Sequence, residues 1–229
     1  MGGGGLYTYF NSSKFDFIAG IDIDQTAIEM AKEYKKFADI SDDEVFVDVC
    51  PIFKLPFEDE KFDFIIMKDI GEHLENKQNL ELALAELKRV LKKEGYIYIE
   101  TPNYLFPFEA HLEICIFPYF ATKKNTKFLA KLTGKDPNFV DHLNFTTPSM
   151  FKDVFNRLNF GYKDLYVEQK LPNIVRNSQN LSDRFKFIGM VFRIINKMRL
   201  NSFIIWLFKI TKMYPTLQYI AYKKGDKSE

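Results

Sequence analysis

The sequence predicts an α/β fold: a mostly parallel sheet with helices on both faces and an antiparallel last strand. Three observations predict it. Short apolar runs ending in acids, such as "FDFIAGID" at Phe15–Asp22, alternate with helical periodicities. The connections between runs are long enough for crossover helices. Four runs end in polar groups, at Asp22, Asp48, Asp69 and the "TPN" of residues 101–103. A sheet of this kind gathers such ends on one rim, where ligands bind.

Each element has its own signal. After the strand ending at Asp22, the spacing predicts a helix from Thr26 to Phe37, with Ala27, Ala31 and Tyr34 on one face and Ile28 beside them. Asp24 or Thr26 can cap it, and Thr26 with Glu29 has capping-box spacing. "EVFVDVC" and "KFDFIIMKD" read as the next two strands. Leu80, Leu84, Leu87 and Leu91 line one side of a helix expected over Lys77–Lys92, with Lys92, Lys93 and Gly95 as its basic last turn and stop. "YIYIE" is a strand broken by "TPN". "YLFPFEAHLEICIFPYFA" is rich in aromatics and proline and reads as an irregular cap over the rim. Thr147 and Pro148 are the N-cap and first residue of a further helix. "YKDLYVEQ" and "TLQYIAYKK" read as strands on either side of two helices between Leu181 and Met213. The chain is expected to be one unit: a core over 1–103, cap and helix over 104–160, and edge strands with a helical insertion over 161–229.

Composition narrows the class. With 229 residues, 46% hydrophobic, 28% charged and a net charge of +1, the chain is ordinary globular protein with nothing global to attract nucleic acid. Cys50 and Cys115 are isolated, which argues against a disulfide framework or a zinc site and fits a reducing cytosol. The 181–213 insertion interleaves Lys and Arg with Phe, Ile, Met and the single tryptophan, Trp206. It reads either as helices packed on the core or on a partner chain, or as a basic amphipathic face in peripheral contact with a membrane. "FIIWLF" is far shorter than a bilayer span.

The stretches "KLPFEDEKFDFIIMKDIGEHL" and "LKRVLKKEGYIYIETPN" resemble class I S-adenosylmethionine-dependent methyltransferases, in the branch acting on small molecules and glycans. The resemblance covers most of residues 1–150 and implies a Rossmann-like fold. One departure is Glu94-Gly95 where the family has two glycines. The resemblance also gives the opening "MGGGG" a meaning. Counting back from Asp22, Gly3 and Gly5 fall on the glycine loop that holds the cofactor, and Met1 falls on its first glycine. The chain is then expected to lack its first strand; the alternative is a linker or tag scar.

The resemblance implies roles residue by residue. Gly3 and Gly5 let backbone approach the methionine portion of S-adenosylmethionine, Asp22 accepts from both ribose hydroxyls, Ile23 packs on adenine, and Asp48 accepts from its amino group. Lys68 and Asp69 lie near the methyl and the cofactor carboxylate, with a surface ion pair as the alternative. Glu72-His73 is the family's "EH", in which the histidine is either a base or a structural hydrogen-bonder. His111 and His142, with Glu109, are candidates for the acceptor side. No metal is expected. The expected activity is methyl transfer, by in-line positioning, to an oxygen of a small-molecule, glycan or lipid-linked acceptor, in the cytoplasm or at a membrane surface. Two other classes compete. A methyltransferase-like scaffold without activity would fit a missing first strand. A nicotinamide-dependent dehydrogenase also pairs a glycine turn with an acid, but GxGxxG is absent.

Overall fold

The computed structural model describes residues 15–176, except 110 and 119, and residues 197–225. Among these residues, six strands and six α-helices follow in the order β1 (Ile18–Asp22), α1 (Gln25–Phe37), β2 (Val45–Val49), β3 (Phe62–Lys68), α2 (Lys77–Val90), β4 (Leu91–Pro102), α3 (Lys123–Leu132), α4 (Pro148–Arg157), β5 (Phe160–Asp164), α5 (Leu171–Arg176), α6 (Asn201–Thr211) and β6 (Thr216–Lys223). The fold is Rossmann-like, and its strands fall into two groups. β1 pairs with β2 in parallel, as a lobe. β3, β4, β6 and β5 form the body in that order, with β3·β4 parallel and β6 antiparallel to both neighbours. Among the described residues no strand joins the groups. Phe17 stacks on Phe62, and Ile21 packs against the main core.

The main core lies on one face of the body. Met67, Ile97, Ile99, Tyr219 and Phe160 share it with Leu80, Leu84 and Leu87 of α2 and Phe151, Val154 and Phe155 of α4. Each such side chain, fully buried, contributes about 1.5–3 kcal/mol. On the other face Phe64, Ile66 and Tyr96 remain exposed, at 45%, 36% and 49%. The lobe has a core of Ile28, Ala31, Val45 and Val47. A third cluster, Leu112, Ile114, Ile116, Ala130 and Val140, ties the irregular cap to α3.

Most predicted elements are present. Asp24 caps α1 by accepting from the amides of Thr26 and Ala27, and Thr147 caps α4 with Pro148 in the first turn. Three expectations need correction. α2 stops at Val90, because Leu91 turns extended and pairs with Phe62; Lys92, Lys93 and Gly95 belong to β4. Gly95 packs where a Cβ would come within 2.9 Å of the Asp63 carbonyl, so it serves a close approach and not a helix stop. "YKDLYVEQ" is strand only to Asp164, and Tyr166–Lys170 winds into a π-helix. The cap is irregular as expected but is followed by a helix, α3, that the sequence reading missed; Thr122 caps it by accepting from the Asn125 amide. Of the 181–213 insertion, residues 181–196 lie outside the described residues; α6 confirms its second helix. The cysteines are free, Cys50 buried and Cys115 exposed.

Candidate functional site

β1, β3 and β4 run in parallel within their groups, so Asp22, Lys68 and Pro102 mark carboxyl ends. The β4 end is the most firmly built. Asn103 is 2% exposed: its side-chain amide donates to the carbonyls of Lys212 (2.7 Å) and Tyr214 (2.6 Å), and its backbone amide to Pro215 (3.0 Å). Thr146 Oγ1 donates to the Pro102 carbonyl at 2.6 Å, and the Tyr104 amide returns to the Thr146 carbonyl at 2.9 Å. The "TPN" turn is thus fixed by α6 on one side and by the loop before α4 on the other.

The short 3₁₀ turn Gly71–His73 sits beside it. Glu72 is 1% exposed, and its Oε2 accepts from Thr101 Oγ1 at 2.7 Å. Asn144 holds the same turn, donating from its amide to the Glu72 carbonyl and from Nδ2 to the Gly71 carbonyl. Burial pushes the Glu72 carboxyl up, against the Thr101 hydrogen bond. Glu72 is therefore the structural member of the "EH" pair, and His73 its outward-facing one.

His111 comes to His73 from the cap. The Glu109↔Ile114 bridge closes a tight loop around it, and Leu112 and Ile114 anchor that loop in the cap core. The two imidazoles meet edge to face, with centroids 5.5 Å apart. His111 Nδ1 lies 2.8 Å from Oε1 of Glu109, which is 5% exposed, and Glu109 Oε2 accepts from the Leu112 amide at 2.6 Å. Burial alone would raise Glu109, but the bonds from His111 and the Leu112 amide outweigh it and hold the carboxyl below its usual range. Glu109 in turn raises His111, against a smaller effect of burial. One donor atom each from Glu72, His73 and His111 lies within 4.8 Å of the others, close enough for these three to gather round a metal ion. His142 ends the 3₁₀ turn Pro137–His142 and is exposed; no contact among the described residues joins it to this pair.

The cofactor-side residues are distributed more loosely. Asp22 Oδ1 accepts from the Asp24 amide at 3.1 Å, and Ile23 stands 76% exposed beside it. Asp48 is ion-paired with Lys32 at 3.0 Å, a bond that lowers its carboxyl's pKa. Lys68 pairs with Glu100 at 3.7 Å. Asp69 takes a left-handed backbone (φ 51°) and donates its amide to the Glu100 carbonyl; loss of solvent raises its carboxyl, against Lys68. Gly3 and Gly5 lie outside the described residues. The sequence reading placed Thr101 and Asn103 on the rim, within "TPN", but gave them no partners; it did not single out Tyr104 or Asn144. An open recess of about 680 Å³, lined by Asp59, Arg89 and Arg157 among others, lies at the opposite ends of the strands.

Residues 1–99 match the family model described as "Methyltransferase domain". No curated protein sequence matches the chain. Among solved structures, the chain is similar to the YcgJ protein from Bacillus subtilis, at 16% identity over 98% of this chain and 89% of that one, TM-score 0.55. It is similar to the PH0226 protein from Pyrococcus horikoshii OT3, at 17% identity over 97% and 78%, TM-score 0.52. It is also similar to geranyl diphosphate C-methyltransferase from Streptomyces coelicolor A3(2), solved with Mg2+, geranyl diphosphate and S-adenosyl-L-homocysteine, at 13% identity over 96% and 68%, TM-score 0.53. At these identities the likeness is one of fold.

Proposed function

Residues 1–99 carry a methyltransferase domain of the class I, S-adenosylmethionine-dependent kind, and from that premise we propose that the chain methylates a hydroxyl oxygen of a small-molecule, glycan or lipid-linked acceptor. The observation that carries the choice of oxygen is the Glu109–His111 pair beside His73. A hydroxyl must lose its proton as its oxygen bonds to carbon, and this pair can take it.

S-adenosylmethionine, when bound, supplies a methyl on a sulfonium, a good leaving group that needs no protein nucleophile. The chain binds and orients. Asp22 offers a carboxylate at the β1 end, where two oxygens match the two hydroxyls of a ribose. Ile23, with its side chain in the open, is the apolar surface for adenine. Asp48, whose Oδ1 accepts from Lys32, takes the adenine amino group. Gly3 and Gly5 fall inside the matched residues 1–99 and take the methionine portion. Lys68 and Asp69, at the β3 end, border the reacting centre. On the acceptor side, Glu109 holds His111 Nδ1–H, which leaves Nε2 to receive the hydroxyl proton. Glu109 stays ionised and stabilises the imidazolium that forms.

His111 must be neutral to act, and Glu109 raises its pKa above the usual 6.5. Activity therefore rises with pH through a midpoint above that value. Glu109→Gln is expected to move this acid limb to lower pH and to slow transfer by roughly 10²-fold or more. The test is calorimetry with S-adenosylmethionine, followed by a pH–rate profile of both proteins. Absence of cofactor binding overturns the proposal; an acid limb indifferent to Glu109→Gln removes His111 as the proton acceptor.

A further inference from the structure

α6 leaves one apolar stripe to solvent. Phe203, Trp206, Leu207 and Ile210 follow one another at helical spacing and are 54%, 53%, 39% and 58% exposed. The opposite side of the helix is used: Ile205 and Phe208 pack on the main core. α6 is therefore seated on the core, and among the described residues nothing covers its outer face. Phe203 and Trp206 stack at 5.7 Å, so the stripe presents one continuous aromatic ledge.

The charge along this segment of the chain has one sign. Residues 197–213 include Lys197, Arg199, Lys209 and Lys212 and contain no Asp or Glu. A helix with Phe, Trp and Leu on one face and cations at its margins fits the boundary between lipid headgroups and acyl chains. The helix is too short to cross a bilayer, and no described helix is long and apolar enough to do so. Its place in the fold gives the ledge a use. The carbonyls of Lys212 and Tyr214, just past the helix, are held by Asn103 at the carboxyl end of β4. The ledge and the rim are joined through one side chain.

We propose that α6 docks on an anionic membrane surface, with Phe203, Trp206, Leu207 and Ile210 in the interface and the lysines and arginine against the headgroups. Docking holds the β4 rim at the lipid boundary. If the chain is the methyltransferase proposed above, the acceptor is then a lipid-linked hydroxyl compound. The docking itself stands without that reading.

The chain carries its own reporter, since Trp206 is its only tryptophan. The whole protein, without cofactor, is mixed with vesicles of phosphatidylcholine alone or with about one-third phosphatidylglycerol. The expected result on the anionic vesicles is a blue shift of Trp206 emission and co-sedimentation, both reversed at about 1 M salt, where the screening length is about 3 Å. Lys209→Glu should weaken binding at least about fivefold, the worth of one cation near such a surface. Phe203→Ser, at an exposed position, should weaken it about tenfold while the tryptophan still reports. Unchanged emission on anionic vesicles overturns the proposal, as does equal binding to neutral ones. A blue emission in the absence of lipid that grows with protein concentration also overturns it, and assigns the ledge to a second copy of the chain. If vesicles bind but calorimetry finds no S-adenosylmethionine binding, the docking stands and the methyltransferase reading falls.

Discussion

The lobe of β1, β2 and α1 buries Ile28, Ala31, Val45 and Val47 and little else. The body of β3 to β6 sandwiches two leucine- and phenylalanine-rich helices against a sheet face in which Ile97, Ile99 and Ala221 are wholly hidden. The proposed acceptor groups stand on the body and are cross-tied by buried bonds, such as Glu72 to Thr101 and Asn144 to the Gly71 turn. The proposed cofactor groups stand on the lobe, Ile23 exposed and Asp22 and Asp48 half-buried. The proposed site thus joins a half whose geometry is fixed by packing to a half whose geometry depends on few contacts. A ligand spanning both has most to add on the lobe side, because ordering there is not already supplied by the core.

Stability gives the largest separation between the halves. Leu84→Ala, in α2, should remove about 2–5 kcal/mol of global stability, read as a lowered denaturation midpoint. Ile28→Ala is the matching change in the lobe. It should loosen β1 and β2 in hydrogen exchange while moving the global midpoint much less. Equal losses would show the halves unfolding as one and break the comparison. A smaller effect is expected at their junction with α6. Asn103→Ala orphans the carbonyls of Lys212 and Tyr214 and should cost about 1–3 kcal/mol in the same denaturation assay. The smallest effect on stability comes from Asp22→Ala, which is expected to leave the midpoint in place and reduce S-adenosylmethionine affinity about ten- to a hundredfold. Calorimetry showing unchanged affinity would take the lobe's acid out of the site.

What could be read from the sequence follows the same division between periodic and non-periodic stretches. β1, β2, β3 and the α2 leucines announce themselves because a buried strand or a helix face needs apolar residues at fixed intervals. The Thr147-Pro148 start of α4 is equally explicit, since both residues are suited to one position. α3 escaped because "KKNTKFLAKL" is short and what it buries is small, Thr126 and Ala130, with Ala130 held against the cap. The end of α2 was misplaced because Leu91 continues the leucine spacing while its backbone has already turned into β4. In the site, the strand-end acids were legible as a set. The meeting of His73 with His111 was not, because it depends on how an irregular segment folds back, and no spacing encodes that. Glu109 was legible only as a neighbour of His111; its burial, which makes it an effective partner, comes from the cap's own core.

The pairing of β6 has a consequence for how the chain is made. β6 lies between β4 and β5, and β5 has no other partner among the described residues. Tyr214, Leu217 and Tyr219, in and just before β6, fill the centre of the main core. On a ribosome adding about 5–20 residues per second, β3, β4 and both helices of the body emerge well before the strand that completes them. The apolar undersides of α2 and α4 must therefore wait, half-covered, until residues 214–223 have cleared the exit tunnel. Closure of the body waits on this segment, and a nascent chain stalled short of Thr216 would present its core to chaperones and proteases.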